Sequence, residues 1–142
     1  MNVRDATLND VPSLVPLMEE LGYPTSVDTF QSRFNLIITN PCYHTLVAEL
    51  DGRVVGMAGL HTGLFYEYDG INVRIVAFVV NSNYRRKGVG KKLIQEAESW
   101  ARKQGAISIG LNSGNRPERK DAHQFYLSMG YEAKSIGFGK RL

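Results

Sequence analysis

Two spacings of apolar residues alternate along the chain and indicate helices in some segments and strands in others. Apolar positions recur every three or four residues in four segments, which is the period of a helix packed on one face. These helices are predicted from Thr7 or Asn9 to Gly22, from Ser26 or Asp28 to Asn40, and over residues 88–104 and 119–129. Strands are predicted over residues 2–6, 44–50, 53–60, 71–80, 106–111, 131–136 and 137–142, and those over residues 44–50, 53–60 and 71–80 rest on apolar, β-branched runs.

The order of these elements predicts the fold class. Asp51-Gly52 separates two apolar runs, which is a strong signal for a tight hairpin. A strand, a helix and another strand follow in the second half, which is typical of a parallel crossover. The chain is therefore expected to be an α/β protein with a mixed sheet and helices on its faces.

Length and composition limit the classes of protein that remain. The chain has 142 residues, 43% of them hydrophobic, which corresponds to a single domain over residues 1–142. No apolar run approaches the ~20 residues that span a bilayer, and the N-terminus lacks the apolar core of a signal peptide. The single cysteine, Cys42, excludes an intrachain disulfide. These features predict a cytoplasmic protein without a membrane partner.

Charge is distributed unevenly along the chain. Residues 1–84 hold four arginines and nine acidic residues, a net charge of −5. Residues 85–142 hold thirteen Lys or Arg and five acidic residues, a net charge of +8. The asymmetry predicts two ligand-facing regions of opposite sign, although two solvated surfaces explain it as well.

The segment of residues 79–93 carries the strongest chemical signal. A buried strand leads into Arg85-Arg86-Lys87 and two glycines, and the glycines open an amphipathic helix. Unpaired N–H groups at a helix N-terminus, close backbone approach at glycine and flanking cations together predict an anion site. A Walker A loop is excluded because Lys92 stands where Ser or Thr is needed, and the dinucleotide fingerprint is excluded by Leu93.

The pattern Arg85-x-x-Gly88-x-Gly90 between strand and helix resembles the pyrophosphate-binding motif of the GNAT superfamily of acetyl-CoA-dependent N-acetyltransferases. Three more segments resemble that family in the right order: residues 3–10, the hairpin over residues 46–56, and the helix over residues 122–131. The resemblance implies a mixed, mostly antiparallel sheet of six to seven strands with about four helices. It also implies a splay between the two central parallel strands, and acetyl-CoA as co-substrate.

The resemblance implies the following cofactor site. Pantetheine pairs with the strand backbone at Phe78, Val79 and Val80, and the pyrophosphate sits on the loop formed by Arg85, Arg86, Lys87, Gly88, Val89, Gly90 and Lys91. Asn112 either bonds a pantetheine amide or is an ordinary residue at a strand end. Three cations near the last helix either reach the adenosine 3′-phosphate or are solvated, and we expect them to be solvated; they are Arg116, Arg119 and Lys120.

The resemblance assigns Tyr126 as the acid that protonates the departing CoA thiolate; the alternative is a core tyrosine. The family often uses a glutamate on the strand before the loop as base, but residues 72–80 contain no acid. His61, Glu67 and Asp69 are the nearest candidates, and a water chain is the alternative. Cys42, His44 and His123 show no ligand spacing, so no metal is predicted.

The acceptor is expected to be a small cationic amine. Phe65-Tyr66-Glu67-Tyr68-Asp69 lies where the acceptor approaches in this family, and Glu19, Glu20 and Tyr23 end the first helix. Aromatic faces and carboxylates suit a polyamine or an amino sugar such as an aminoglycoside. Direct transfer in a ternary complex is expected, with a homodimer as the family-level expectation. Acetylation of a protein or peptide is the alternative within the family.

Two alternatives belong to other classes. The basic cluster over residues 85–92 could bind nucleic acid, but it has no interleaved aromatic residues and the acidic half would repel phosphate. No nucleic-acid partner is therefore predicted. A non-catalytic acetyl-CoA sensor is favoured by the missing strand glutamate and opposed by Tyr126.

Overall fold

The computed structural model describes residues 1–114 and 117–142. The strands are β1 (Asn2–Asp5), β2 (Tyr43–Leu50), β3 (Arg53–Leu64), β4 (Ile71–Val80) and β5 (Ala106–Leu111). The helices are α1 (Val11–Leu21), α2 (Val27–Ile38), α3 (Val89–Lys103) and α4 (Lys120–Ser128). Short 3-10 turns cover Leu8–Asp10, Ser82–Tyr84 and Pro117–Arg119. In the described part of the chain, no helix combines the length and the apolar character needed to cross a bilayer.

The strands form one mixed sheet in the order β1-β2-β3-β4-β5. The first three pairings are antiparallel and β4 pairs with β5 in parallel, with α3 as the crossover between them. The predicted fold class, a mostly antiparallel mixed sheet with four helices and one parallel pair, is confirmed.

The strand count is lower than the six to seven expected. No strand forms over residues 131–142, so the two predicted C-terminal strands are wrong. Every residue after Tyr131 is exposed, including Ile136 and Phe138, so a strand there would bury no apolar face. Gly137 and Gly139 further weaken strand formation because glycine contributes no side chain to the packing.

Helices cover both faces of the sheet and create two cores. On one face α3 buries Leu93 and Ile94 against strands β2, β3 and β4. On the other face α1 and α2 bury Leu14, Leu17 and Phe34. Each such side chain contributes about 1.5–3 kcal/mol through removal from water. The sheet, with the parallel pair β4 and β5 at one side of it, is thereby fixed between two packed layers.

A β-bulge in β4 changes which side chains face each core. Gly59 pairs with Ala77 while Leu60 pairs with Ile75, so Val76 is an extra residue without a partner in the register. Val73 and Ile75 belong to the α3 core, whereas Ala77 and Val79 face α1 and α2. The bulge therefore bends the strand at the point where it parts from β5.

A buried carboxylate fixes the entry to α1. Asp10 accepts hydrogen bonds from Arg4 Nη1 and Nη2 at 2.9 and 2.8 Å and from the backbone N–H of Thr7 at 2.8 Å. Arg4 Nε also donates to Glu49 on β2 at 2.7 Å. The Arg4 hydrogen bond holds the pKa of Asp10 below its usual value, against the effect of burial. This network ties β1, β2 and the start of α1 together.

Candidate active site

A cleft opens where the two parallel strands part. The pairing of β4 with β5 ends at Ile75 and Leu111 in the register. Beyond that point β4 has no parallel partner within the described residues, so backbone groups on that side of Val76–Val80 can meet a ligand. The cleft is lined by the two strand ends, α4 and the end of α1; its residues are Leu21, Tyr23, Ile75, Val76, Ala77, Phe78, Leu111, Asn112, Ser113, Gly114, Arg119 and Tyr126.

The glycine loop joins β4 to α3 beside this cleft. Gly88 adopts a left-handed φ of 81° immediately before α3, and no side chain caps the helix there. Arg86 also has a positive φ of 62°, which is strained for a residue with a Cβ. Arg86, Lys87 and Gly88 are exposed. The loop thus presents open N–H groups, the positive end of a helix dipole and several cations, which together suit a pyrophosphate.

Glu20 braces the start of this loop from α1. Its Oε1 accepts a hydrogen bond from the backbone N–H of Ser82 at 2.8 Å, and its Oε2 lies 3.9 Å from Arg85 Nη2. The bond from Ser82 lowers the pKa of Glu20, so the carboxylate is charged in the neutral range. Glu20 was expected on the acceptor side, but the loop engages it instead.

The rings of Phe78, Phe125 and Tyr131 pack around that of Tyr126 at the cleft. Phe78 stacks on Phe125 at 6.0 Å between centroids and meets Tyr126 edge-on at 6.1 Å. A Cβ on Gly90 would lie 3.4 Å from the Phe125 ring, which shows how closely α3 approaches this cluster. Burial raises the pKa of the Tyr126 hydroxyl, and the charge of Arg119 partly offsets that rise. The phenol therefore keeps its proton at neutral pH.

The cleft includes some of the predicted site residues and leaves others apart. Phe78, Asn112 and Tyr126 line it, whereas Val79 is buried in the core beneath α1 and α2. Arg119 also lines the cleft, Lys120 is exposed, and Arg116 lies outside the described residues. The assignments of these residues to acetyl-CoA remain predictions.

The candidate bases lie away from the cleft lining. His61 is on β3, with its ring 4.8 Å from that of Tyr43, and it pairs with Arg74 of β4 in the register. Glu67 and Asp69 are exposed in the connection between β3 and β4. Among the described residues, these three side chains are not part of the cleft wall, and their role as base stays a prediction.

Several residues that shape the site could not be predicted from the sequence. Val76 is half exposed at the bulge and lines the cleft, but an isolated valine in an apolar strand carries no signal for a bulge. His123 Nε2 lies 2.8 Å from the carbonyl oxygen of Gly114, which fastens the segment after β5 to α4. No set of three or more potential metal ligands occurs in the part of the chain that the structure describes.

Comparison with known proteins identifies the family. The model of the acetyltransferase (GNAT) family matches residues 12–131, which include the cleft, the glycine loop and α4. The chain belongs to this family and is an N-acetyltransferase, as its motifs predicted. Members of the family use acetyl-CoA as co-substrate, and an uncapped helix N-terminus beside an open strand edge fits that molecule.

Three relatives illustrate the match. The aminoalkylphosphonate N-acetyltransferase of Salmonella typhimurium is 32% identical over 99% of this chain and 90% of its own length. An uncharacterized N-acetyltransferase of Bacillus subtilis, YhdJ, is 30% identical over 88% of this chain and 87% of its own. The crystal structure of a GNAT family acetyltransferase from Staphylococcus aureus superposes with a TM-score of 0.86 at 30% identity, over 99% of this chain and 98% of that one.

Proposed function

We propose that this protein transfers the acetyl group of acetyl-CoA to the primary amine of a small molecule, directly within a ternary complex. The observation that carries the proposal is the cleft itself. It places Tyr126 and the open edge of β4 in one space, beside the uncapped N-terminus of α3. A thioester lying along that edge would have its sulfur near a phenol and its pyrophosphate near the glycine loop.

The loop and strand edge are proposed to bind the cofactor. Pantetheine amides would pair with the backbone of β4 over Phe78–Val80, and Asn112 on the opposite wall can donate to a pantetheine carbonyl. The pyrophosphate would take the N–H groups between Arg86 and Lys91, with help from their side-chain charges. Arg119 also lines the cleft, and its cation can meet the nucleotide end of the same ligand.

The proposed reaction needs two proton movements. The amine loses a proton and attacks the thioester carbonyl, and a C–N bond forms in a tetrahedral intermediate. A backbone N–H of β4 stabilises the oxyanion. The C–S bond then breaks, and the thiolate takes the Tyr126 proton. His61, Glu67 or a water chain accepts the proton of the amine, and Tyr126 regains its own from solvent.

Different observations support two classes of acceptor. A polyamine or amino sugar is supported by Tyr23 at the cleft and by the exposed acids Glu67 and Asp69. That support is smaller than expected, because Glu20 is engaged by the glycine loop. An aminoalkylphosphonate is the second candidate, supported by the relative that is 32% identical over nearly the whole chain.

A melting experiment followed by an amine screen tests the proposal. Saturating acetyl-CoA is expected to raise the melting temperature, and the rise should survive moderate salt because a single specific site binds it. Thiol release is then measured with polyamines, aminoglycosides, aminoalkylphosphonates and a lysine peptide. If any polyanion raises the melting temperature equally and salt abolishes the rise, the loop binds anions without specificity for acetyl-CoA. If only the lysine peptide is acetylated, the acceptor is a protein or peptide and not a small molecule.

A further inference from the structure

One arginine of the acidic half lies beside the cleft without an ionic partner. Arg74 is exposed on β4, and its guanidinium makes no hydrogen bond or ion pair to the residues that the structure describes. The other arginines close to the cleft have roles proposed above: Arg119 lines the cleft and is assigned to the nucleotide end of acetyl-CoA, and Arg85 lies near Glu20. An unpaired guanidinium beside a substrate cleft suggests a ligand that supplies the missing anion.

The register of the sheet defines the face on which Arg74 lies. Its neighbours Val73 and Ile75 are buried in the α3 core, so Arg74 projects from the opposite face. His61 of β3 is its antiparallel partner and Gly110 of β5 is its parallel partner, so both lie on the same face. Gly110 has no side chain, and nothing within 4 Å would meet a Cβ there. Arg74 is therefore flanked by open space on one side and an imidazole on the other.

Arg74 is also close to the reacting region in sequence and space. Ile75 and Val76, the next residues of the same strand, line the cleft. At about 3.3 Å per residue, the backbone of Arg74 lies roughly 7 Å from that of Val76. An extended arginine side chain has about the same length. The guanidinium of Arg74 can therefore reach a charged group that lies a few bonds from an amine bound at the cleft.

We propose that Arg74, together with His61, forms a subsite for a compact oxyanion on the acceptor. The acceptor is then an aminoalkyl acid, with a phosphonate, phosphate ester or carboxylate two or three bonds from the amine. The guanidinium offers paired N–H donors that match such an oxyanion. In this arrangement the imidazole of His61, which lies edge-on to Tyr43, donates a further N–H to the oxyanion, and Glu67 or a water chain serves as the base. The inference rests on the proposed function, since it names the acceptor of the same cleft.

The test compares acceptors that differ in one charged group. 2-Aminoethylphosphonate and 3,3-dimethylbutylamine have nearly the same shape, but only the first carries an anion. The ratio of their kcat/KM values is expected to exceed about 100 in the native protein and to fall about 10- to 100-fold in Arg74→Gln, as for the loss of a charged hydrogen-bonding pair. Arg74→Lys should retain part of the ratio. Arg53→Gln, an exposed arginine in the β2–β3 turn, is the matched control and should leave the ratio intact.

Three further arms complete the experiment. β-Alanine in place of the phosphonate distinguishes a carboxylate from a tetrahedral anion. Methylphosphonate, which has no amine, should inhibit the native protein competitively against the acceptor but not against acetyl-CoA; this arm needs no variant. His61→Gln should lower the ratio less than Arg74→Gln does.

The outcomes separate the inference from the function on which it rests. A native ratio near one, or an equal loss for both amines in Arg74→Gln, overturns the anion subsite while the acetyltransferase stands. Faster turnover of spermidine than of any acidic amine also overturns it. Absence of an acetyl-CoA melting shift and of thiol release with every amine overturns the proposed function and the subsite together.

Discussion

The carboxylate of Glu20, near the end of α1, accepts a hydrogen bond from the backbone N–H of Ser82, the second residue after β4. The contact joins residues that are 62 positions apart in the chain. Glu20 lies in α1, whose last residue, Leu21, lines the cleft together with Tyr23. Ser82 lies in the first turn of the loop that leads to α3. The end of α1 at the cleft and the glycine loop are thus joined by a single side chain.

The first prediction concerns this brace. Glu20→Gln removes the charge that faces Arg85 and weakens the bond from Ser82, so the loop loses part of its preorganisation. We expect the Kd for acetyl-CoA, measured by calorimetry, to rise about 3- to 10-fold, which corresponds to roughly 1 kcal/mol. Glu19→Gln, at the exposed neighbouring position, is the control and should bind as the native protein does. Equal affinities in the two variants would show that the brace is irrelevant to the cofactor.

The second prediction uses two glycines with the same backbone conformation. Gly88 precedes α3 at φ 81° and Gly105 follows the helix at φ 80°, and both have open space where a Cβ would stand. Alanine at either position should cost about 1–2 kcal/mol of stability because φ is positive. Stabilisation by acetyl-CoA should fall in Gly88→Ala, vanish in Gly88→Asp, and persist in Gly105→Ala. Identical ligand-induced melting shifts in both alanine variants would contradict the loop assignment.

The glycine loop could be predicted from the sequence because its signal is local. Glycines, cations and a helix start lie within a few residues, and each restricts the backbone or the charge directly. The bulge at Val76 and the bond from Glu20 could not be predicted in this way. Both depend on how distant segments meet, and neither valine nor glutamate has a residue-level preference for such a place. The strands predicted over residues 131–142 do not form because no other described segment buries the apolar side chains that follow Tyr131.

The third prediction assigns a chemical role to Tyr126. Tyr126 lines the cleft, and burial raises the pKa of its hydroxyl. Tyr126→Phe keeps the ring against Phe78 but removes the proton donor. We expect kcat to fall about 10²- to 10⁴-fold, the usual range for a general acid, with little change in the Kd for acetyl-CoA. Rapid-quench measurement of the acetylated product in a single turnover separates chemistry from product release.

Tyr131→Phe is the matched control for that variant. The Tyr131 ring lies 6.4 Å from that of Tyr126, but its hydroxyl donates to Glu98 at 2.9 Å instead of lining the cleft. This variant should lose about 1–3 kcal/mol of stability, as for a hydrogen bond to a charged group, and should retain its turnover. Full activity of Tyr126→Phe would remove the hydroxyl from the mechanism.

The last prediction concerns the acid stability of the fold. The Arg4 hydrogen bond lowers the pKa of Asp10 in the folded state relative to the unfolded chain. A depressed carboxyl pKa stabilises the fold above the unfolded value, near 3.8, and this contribution is lost as pH falls through the folded pKa. Asp10→Asn lacks the titration and should be about 1–3 kcal/mol less stable at pH 7.

Urea unfolding at pH 7, 5, 4 and 3 checks this prediction. The difference in free energy of unfolding between Asp10→Asn and the native protein should become smaller below about pH 4. Asp69→Asn replaces an exposed carboxyl that has no hydrogen bond or ion pair to the described residues, and it should be as stable as the native protein in the same measurements. A gap for Asp10→Asn that stays constant down to pH 3 would mean that the charge of Asp10 does not stabilise the entry to α1.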